Sequence, residues 1–280
     1  MLVVGGSGRL GTLLRRAWAL AGQGGLLWQH RGGGDGPCFD ALTDPAAYID
    51  AAHGADAILN LAGGVGGGSA SLAEHRDLAL AALEAGRAAG VARVFLASSA
   101  SVYGRARVPA RETDPVAPVS DYGRAKAVME EAALAWAAAN PGGPAATCLR
   151  IGNVAGADQL LGTAPGTEPQ PLDLFADGTG PARSYVGPLA LADIFSGLFA
   201  AQRAGRALPD VLNIALDGAV RMDALLDADG RKWVARAAPD GLLREVRLDV
   251  TRLGAILGPL ARAEAAAIVA DLRSVSGVGA

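Results

Sequence analysis

The sequence predicts an α/β fold in which a doubly wound parallel sheet is covered by helices on both faces and carries a small C-terminal substrate cap. Three observations predict it. Short runs rich in Val, Ile and Leu alternate with Ala-rich stretches of helical length. The apolar runs show no inside–outside alternation, the pattern of strands buried on both faces. Three glycines, Gly5, Gly8 and Gly11 of "VVGGSGRLG", stand where the first apolar run gives way to the first helical stretch.

Taken in order, strands are expected at Leu2–Val4, Leu26–Gln29, Ala57–Leu61, Arg93–Ala97, Thr147–Ile151 and Leu212–Ala215. Helices are expected at Arg9–Ala21, Pro45–Ala52, Ser71–Ala89, Tyr122–Ala139 and Leu189–Ala204. Right-handed crossovers bring the C-terminal ends of such strands to one edge, where ligands of these sheets bind. Three stretches break the rhythm: the "GGVGGG" loop at 63–68, a Pro/Gly-rich excursion at 157–171, and a tail from Asp217 that reads as a small helical cap. The expected division is a dinucleotide-binding domain over 1–156, completed within 183–216, and a cap formed by 157–182 and 217–280.

Composition narrows the function. A chain of 280 residues with 51% hydrophobic and 19% charged residues buries a sizeable core and is not a disordered segment. The net charge of −3, with scattered arginines, argues against a nucleic-acid partner. Cys38 and Cys148 form no CxxC pair, and His30, His53 and His75 lie too far apart for metal-ligand spacing, so no metal is expected. "MLVVGGSG" offers no leader, and no uncharged apolar run is long enough to span a membrane. The reading is a cytoplasmic protein with a small-molecule substrate.

The glycine turn carries the first chemistry. Glycine permits a tight turn, close approach of backbone to a pyrophosphate and close packing of helix on strand. A helix N-terminus adds free N–H groups and a positive dipole end. Strand–turn–helix context makes this a Rossmann-type dinucleotide site, with Gly5, Ser7, Gly8, Arg9, Leu10 and Gly11 as its candidates. At the end of the second strand an NAD site usually presents an acidic residue to the ribose. Here stand Gln29, His30 and Arg31, and a cation suits a 2′-phosphate, so NADP is expected ahead of NAD. Asp40 can reach the adenine amino group or cap the next helix.

The second chemistry lies in "FLASSASVYG" (95–104) and "SDYGRAKAVMEE" (120–131). Of the 25 Lys and Arg residues only Lys126 and Lys232 are lysine, and Lys126 follows Tyr122 by four positions, one helical turn. A phenol near pKa ~10 is a poor acid–base group at neutral pH. A nearby ammonium favours the phenolate and lowers that pKa. Arginine could supply charge but its rigid fork cannot relay a proton, whereas lysine is a compact donor that can also bond ribose hydroxyls.

Together the glycine triplet, "SSASVYG" and "YGRAK" resemble the extended short-chain dehydrogenase/reductases, the NAD-dependent epimerase/dehydratase family. "LNLAGG" (59–64) looks like that family's fourth-strand motif, "LRIGNVAG" (149–156) like its sixth strand, and "DGTGPARSYVG" (177–187) and "DVTRLGAILG" (249–258) like later segments. The resemblance implies that Tyr122 donates and accepts the proton, that Lys126 is its electrostatic partner and ribose ligand, and that Ser99 orients the substrate oxygen. It implies Leu61, Ala62 and Gly63 along the cofactor, and Asn153 and Arg183 near a substrate pyrophosphate. It also suggests a homodimer through the helices at 71–89 and 122–139.

Two departures bear on the reaction. Dehydratases of this family carry an Asp–Glu pair directly after the position of Ser99, where this chain has Ala100 and Ser101. The segment between "NVAG" and "DGTG" is short and rich in Gly and Pro, which leaves either a sugar nucleotide or a smaller carbonyl compound as substrate. The expected activity is an NAD(P)-dependent oxidoreductase or epimerase interconverting a secondary alcohol and a ketone. The other reading is a non-catalytic NAD(P)-binding redox sensor or scaffold.

Overall fold

The computed structural model describes residues 1–64, 69–163, 166 and 168–277. The first half of the chain runs β1 (Leu2–Val4), α1 (Arg9–Leu20), β2 (Leu27–Trp28), α2 (Pro45–Ala52), β3 (Ala57–Asn60), α3 (Ser69–Ala89), β4 (Arg93–Ser99), α4 (Asp121–Ala139) and β5 (Ala145–Ile151). It continues through β6 (Asn153–Val154), β7 (Gln170–Leu174), β8 (Ala182–Arg183), β9 (Tyr185–Val186), α5 (Pro188–Arg203) and β10 (Val211–Ile214). The remainder is β11 (Val220–Arg221), α6 (Met222–Asp229), β12 (Trp233–Ala237), β13 (Glu245–Val246), α7 (Thr251–Leu257) and α8 (Ala265–Ser276).

Six strands form one parallel sheet in the order β10-β5-β4-β3-β1-β2. Chain order reverses between β1 and β3, and that switch point is where such sheets open a crevice at their C-terminal edge. Each face has its own core. Leu14, Trp18, Phe195, Leu198 and Val275 from α1, α5 and α8 cover one face. Tyr48, Leu83, Met129 and Ala133 from α2, α3 and α4 cover the other. Trp18 is 1% exposed, and its indole N–H reaches the Ala192 carbonyl and the Ser196 hydroxyl at 3.2 and 2.8 Å, so a large apolar group is buried with its polar atom satisfied.

Local chemistry sets the helix starts. Asp44 accepts the Ala47 amide at 3.1 Å, with Pro45 in the first turn of α2. Ser120 accepts the Gly123 amide at 3.1 Å, so α4 begins at Asp121, one residue before the expected start. Gly187 gives α5 no side-chain cap. Asp271 of α8 supplies it instead, accepting the Leu189 and Ala190 amides at 2.7 and 3.0 Å.

Several expectations change at the edges. The strand expected at Leu26–Gln29 shrinks to Leu27–Trp28 at the sheet edge, where it has only β1 beside it. The strand expected to stop at Ala97 runs on to Ser99, paired with β5 throughout. The "LNLAGG" motif, matched to the family's fourth strand, sits on the third strand in chain order. The tail from Asp217 is not purely helical. Within it β12 pairs with β7, while β11 and β13 flank β8. These strands are two to five residues long and carry Arg and Glu, so no apolar run announces them. Residues 65–68 of "GGVGGG", and 164, 165 and 167 of the Pro/Gly-rich excursion, lie outside the described residues.

Candidate active site

The β1–α1 turn has the shape a pyrophosphate requires. Gly5 holds φ +87°, and a Cβ there would lie 2.7 Å from the Ala62 nitrogen. A Cβ on Gly11 would lie 2.5 Å from the Gly5 carbonyl oxygen. Only glycine fits either place, and the turn packs directly on the Leu61–Gly63 segment that follows β3. Ser7, Gly8 and Arg9 are exposed, Leu10 is half-buried and Gly11 is buried. Gly8 caps α1 with no side chain, and the first turn of α1 has no acidic residue. The amides of Arg9, Leu10 and Gly11, in the first turn of α1, therefore have no intrahelical acceptors, an electropositive end suited to an anionic pyrophosphate. This donor set fits a dinucleotide.

The end of β2 is built differently from expectation. Gln29 is buried, and its side chain accepts the Gly5 amide at 3.0 Å while donating to the Phe39 carbonyl at 2.5 Å. It ties the phosphate turn to the following loop and leaves no acidic group there. His30 is buried with its Nε2 unpartnered, and Arg31 is exposed at the start of a glycine-rich loop. Asp40 does not cap α2, which is capped by Asp44. Its carboxylate accepts the Leu42 and Thr43 amides at 2.9 and 3.2 Å, and the Leu42 amide above all holds its pKa down.

At the C-terminal edge, β4 and α4 bring Ser99, Tyr122 and Lys126 together. The Lys126 ammonium is 4% exposed, donates to the Ala97 carbonyl at 2.6 Å and lies 5.8 Å from the centre of the Tyr122 ring. Burial lowers Lys126 to about 8, partly offset by Cys148 and Glu130. Tyr122 departs from expectation: burial pushes its phenol up, and the opposing pull comes from the Ser99 hydroxyl rather than from Lys126. The ammonium is held by a backbone carbonyl, and it sits over the ring rather than at the phenol oxygen. Ser99 caps the short 3-10 turn Ala100–Val102 by accepting the Ser101 amide at 3.1 Å.

Two neighbours escaped sequence reasoning. His75 of α3 is 1% exposed, meets the Tyr122 ring edge-on at 5.8 Å, and has its Nε2 2.9 Å from the Gly64 carbonyl, so Nε2 carries the proton. Burial, then the Lys126 charge, lower its pKa to about 4. Glu130, two turns beyond Tyr122, is 3% exposed and receives the Arg150 guanidinium at 2.7 Å together with the Ser98 hydroxyl. The helical period could have indicated Glu130; nothing local marks His75.

The two expected substrate contacts stand apart from this cluster. Asn153 lies on β6 beside Tyr185, which donates to Asp158 at 2.6 Å. Arg183 on β8 is half-buried and donates to the Ala182 and Arg244 carbonyls at 2.7 and 3.4 Å. Among the described residues no carboxylate pairs with it. No helix among the described residues is long and apolar enough to cross a membrane.

Comparison with known proteins agrees with this fold. The chain is similar to the dTDP-6-deoxy-L-talose 4-dehydrogenase (NAD(P)(+)) of Kitasatospora kifunensis, 29% identical over 266 residues that cover 86% of this chain and 79% of the relative. Its fold is similar to that of UDP-glucose 4-epimerase from Brucella ovis in complex with NAD, with a TM-score of 0.78 and 21% identity over 96% of this chain and 95% of that one. It is also similar to dTDP-glucose 4,6-dehydratase from Streptomyces venezuelae with NAD and TYD bound, with a TM-score of 0.73 and 21% identity over 98% and 95%. Residues 1–168 match the NAD dependent epimerase/dehydratase family. With a match over more than half its length, the chain belongs to that family of NAD-dependent epimerases, dehydrogenases and dehydratases.

Proposed function

We propose that the protein is an NAD(P)-dependent oxidoreductase that reduces a ketone of a nucleotide-linked sugar to the secondary alcohol, with NADP(H) preferred. Residues 1–156 and the strand and helix within 183–216 form the cofactor half, and 157–182 with 217–280 form the substrate cap. The nicotinamide supplies the hydride. Tyr122 gives its proton to the ketone oxygen, Ser99 orients that oxygen, and Lys126 holds the ribose and stabilises the phenolate left behind.

The observation that carries this reading is the Ser99–Tyr122–Lys126 group at the sheet's ligand edge, with Lys126 buried, Ser99 and Tyr122 half-buried, and the Tyr122 phenol kept protonated by desolvation. A protonated phenol is the form a reductase needs at the start of its reaction. A module that only bound the dinucleotide would have no use for such a group. Ala100 and Ser101 provide no carboxylate pair beside Ser99, which counts against loss of water from the substrate. Arg31 and the absence of an acidic group at Gln29 favour the 2′-phosphate. Arg183, a half-buried cation, suits a substrate pyrophosphate; Asn153, beside Tyr185, contributes less.

The test is a titration of nucleotide-stripped protein with NADPH and NADH, followed by turnover with dTDP-4-keto-6-deoxyhexoses in wild type and Tyr122→Phe. NADPH-dependent loss of the ketone that disappears in Tyr122→Phe supports the proposal. Firmly retained NAD, with no net reduction but interconversion of sugar epimers, overturns it in favour of an epimerase.

A further inference from the structure

Behind Tyr122 and Lys126 the same helix face continues inward to a third polar residue. Tyr122, Lys126 and Glu130 are spaced by four along α4, and the last two are 4% and 3% exposed. Both clamp α4 to the end of β4: Lys126 donates to the Ala97 carbonyl at 2.6 Å, and the adjacent Ser98 hydroxyl donates to Glu130. Ser98 lies directly opposite Arg150 in the β4–β5 register, and Arg150 grips Glu130 with Nε at 3.1 Å from both carboxylate oxygens and Nη2 at 2.7 Å. The Arg150 guanidinium also lies 4.7 Å from the Tyr103 ring centre and donates to the Glu112 carbonyl at 3.5 Å. One carboxylate thus joins α4, β4 and β5 immediately beneath Ser99 and Lys126.

We infer that Glu130 is a positioning residue for the reaction, holding Lys126 in place and in its charged form beneath Tyr122. This rests on the role proposed for Lys126 above. A buried ammonium is unstable without a nearby negative charge. Among the described residues, the charged and titratable groups around Lys126 are Tyr122 and Glu130 on its own helix, Cys148 and Arg150 on β5, and His75 on α3. Cys148 and Tyr122 are pushed up by burial and stay neutral near pH 8, while His75 is neutral above about 4. Glu130, ion-paired with Arg150, is the carboxylate of the group. Arg150 shares it, which fixes the carboxylate's position while leaving its field on Lys126.

The experiment measures NADPH and NADH dissociation constants from pH 6 to 10 by cofactor fluorescence, alongside thermal unfolding. In wild type the affinity should fall as Lys126 loses its proton, with a midpoint near its value of about 8. Glu130→Gln keeps the shape and removes the charge, and should move that midpoint down by about one pH unit, weakening binding about fivefold at pH 8. Ser98→Ala removes one bond but no charge, and should lower thermal stability while leaving the midpoint in place. If Glu130→Gln does not fold, the double variant Glu130→Gln/Arg150→Met removes the pair as a unit and should move the midpoint down by less, because the repulsion of Lys126 by Arg150 is lost together with the attraction of Glu130.

A midpoint that Lys126→Met abolishes but Glu130→Gln leaves unmoved in folded protein overturns this inference alone. A wild type with no such midpoint, or one unchanged in Lys126→Met, overturns the role of Lys126 and this inference with it.

Discussion

The two ends of the cofactor crevice are built on opposite principles. At the α4 end, Lys126, Glu130, Ser98 and Arg150 are buried and bonded to one another or to backbone. At the β2 end, the buried Gln29 and His30 are the last fixed residues, and beyond them Arg31 is exposed in a run of glycines. The first region is over-determined, so a reacting group placed there is held without reorganisation at the moment of reaction. The second is free to meet its ligand on the ligand's terms. With the roles proposed above, such a division would let cofactor preference drift by loop substitutions while the acid–base geometry stayed fixed.

The largest effect that would sharpen this contrast is on turnover. Tyr122→Phe should reduce the rate by about a hundred- to ten-thousandfold, the range for losing a general acid. Tm should move little, because the lost hydroxyl meets only the half-buried Ser99 and not the Glu130–Arg150 network; a steady-state rate and a melting curve on the same preparation check both. Arg150→Met should instead cost about 3–5 kcal/mol of stability, because it strands Glu130 as an unpaired buried carboxylate. Urea unfolding reads that loss, and a cost below 1 kcal/mol would show the α4 end to be less committed than its contacts imply.

At the other end the effects are smaller and of another kind. Arg31→Ala should weaken NADPH about five- to tenfold with no change for NADH, since an exposed ion pair is worth about 1 kcal/mol. Equal losses for the two cofactors would break the comparison, placing the residue's role elsewhere than the 2′-phosphate.

The smallest effect concerns His75. Its folded pKa of about 4 lies below the ordinary 6.5, so the unfolded chain holds the extra proton between those values and stability falls as pH drops through that window. His75→Asn should flatten that acid limb while leaving stability at pH 8 nearly unchanged, as measured by unfolding at a series of pH values.

The phosphate turn was legible because glycine writes its geometry into the sequence: Gly5 and Gly11 are required where no other side chain fits. Tyr122 and Lys126 were legible because four residues on a helix always share a face. The same period reaches Glu130, yet nothing in the letters separates it from Glu131, which is exposed. Only the packing of α4 against β4 and β5 makes one a buried anchor and the other a solvated charge. His75 was illegible for a related reason, since its partner Tyr122 is brought to it by the packing of α3 on α4. The electrostatics of Tyr122 were misread because four-residue spacing says that two side chains are close, not which atoms meet. The cap strands β11 to β13 were hidden by their brevity and polarity.

The cap that Asp271 provides for α5 has a consequence for how the chain is made. Residues 188–203 leave the ribosome well before Asp271 exists, so the amides of Leu189 and Ala190 must wait for about 80 further residues to be synthesised. At 5–20 residues per second that is a delay of about 4–16 s. Through that interval one face of the sheet lacks α8, including Ile268, Val269, Leu272 and Val275 of its core. The nascent chain therefore presents an apolar face that stays open until α8 arrives, and that interval is when a chaperone would have most to shield.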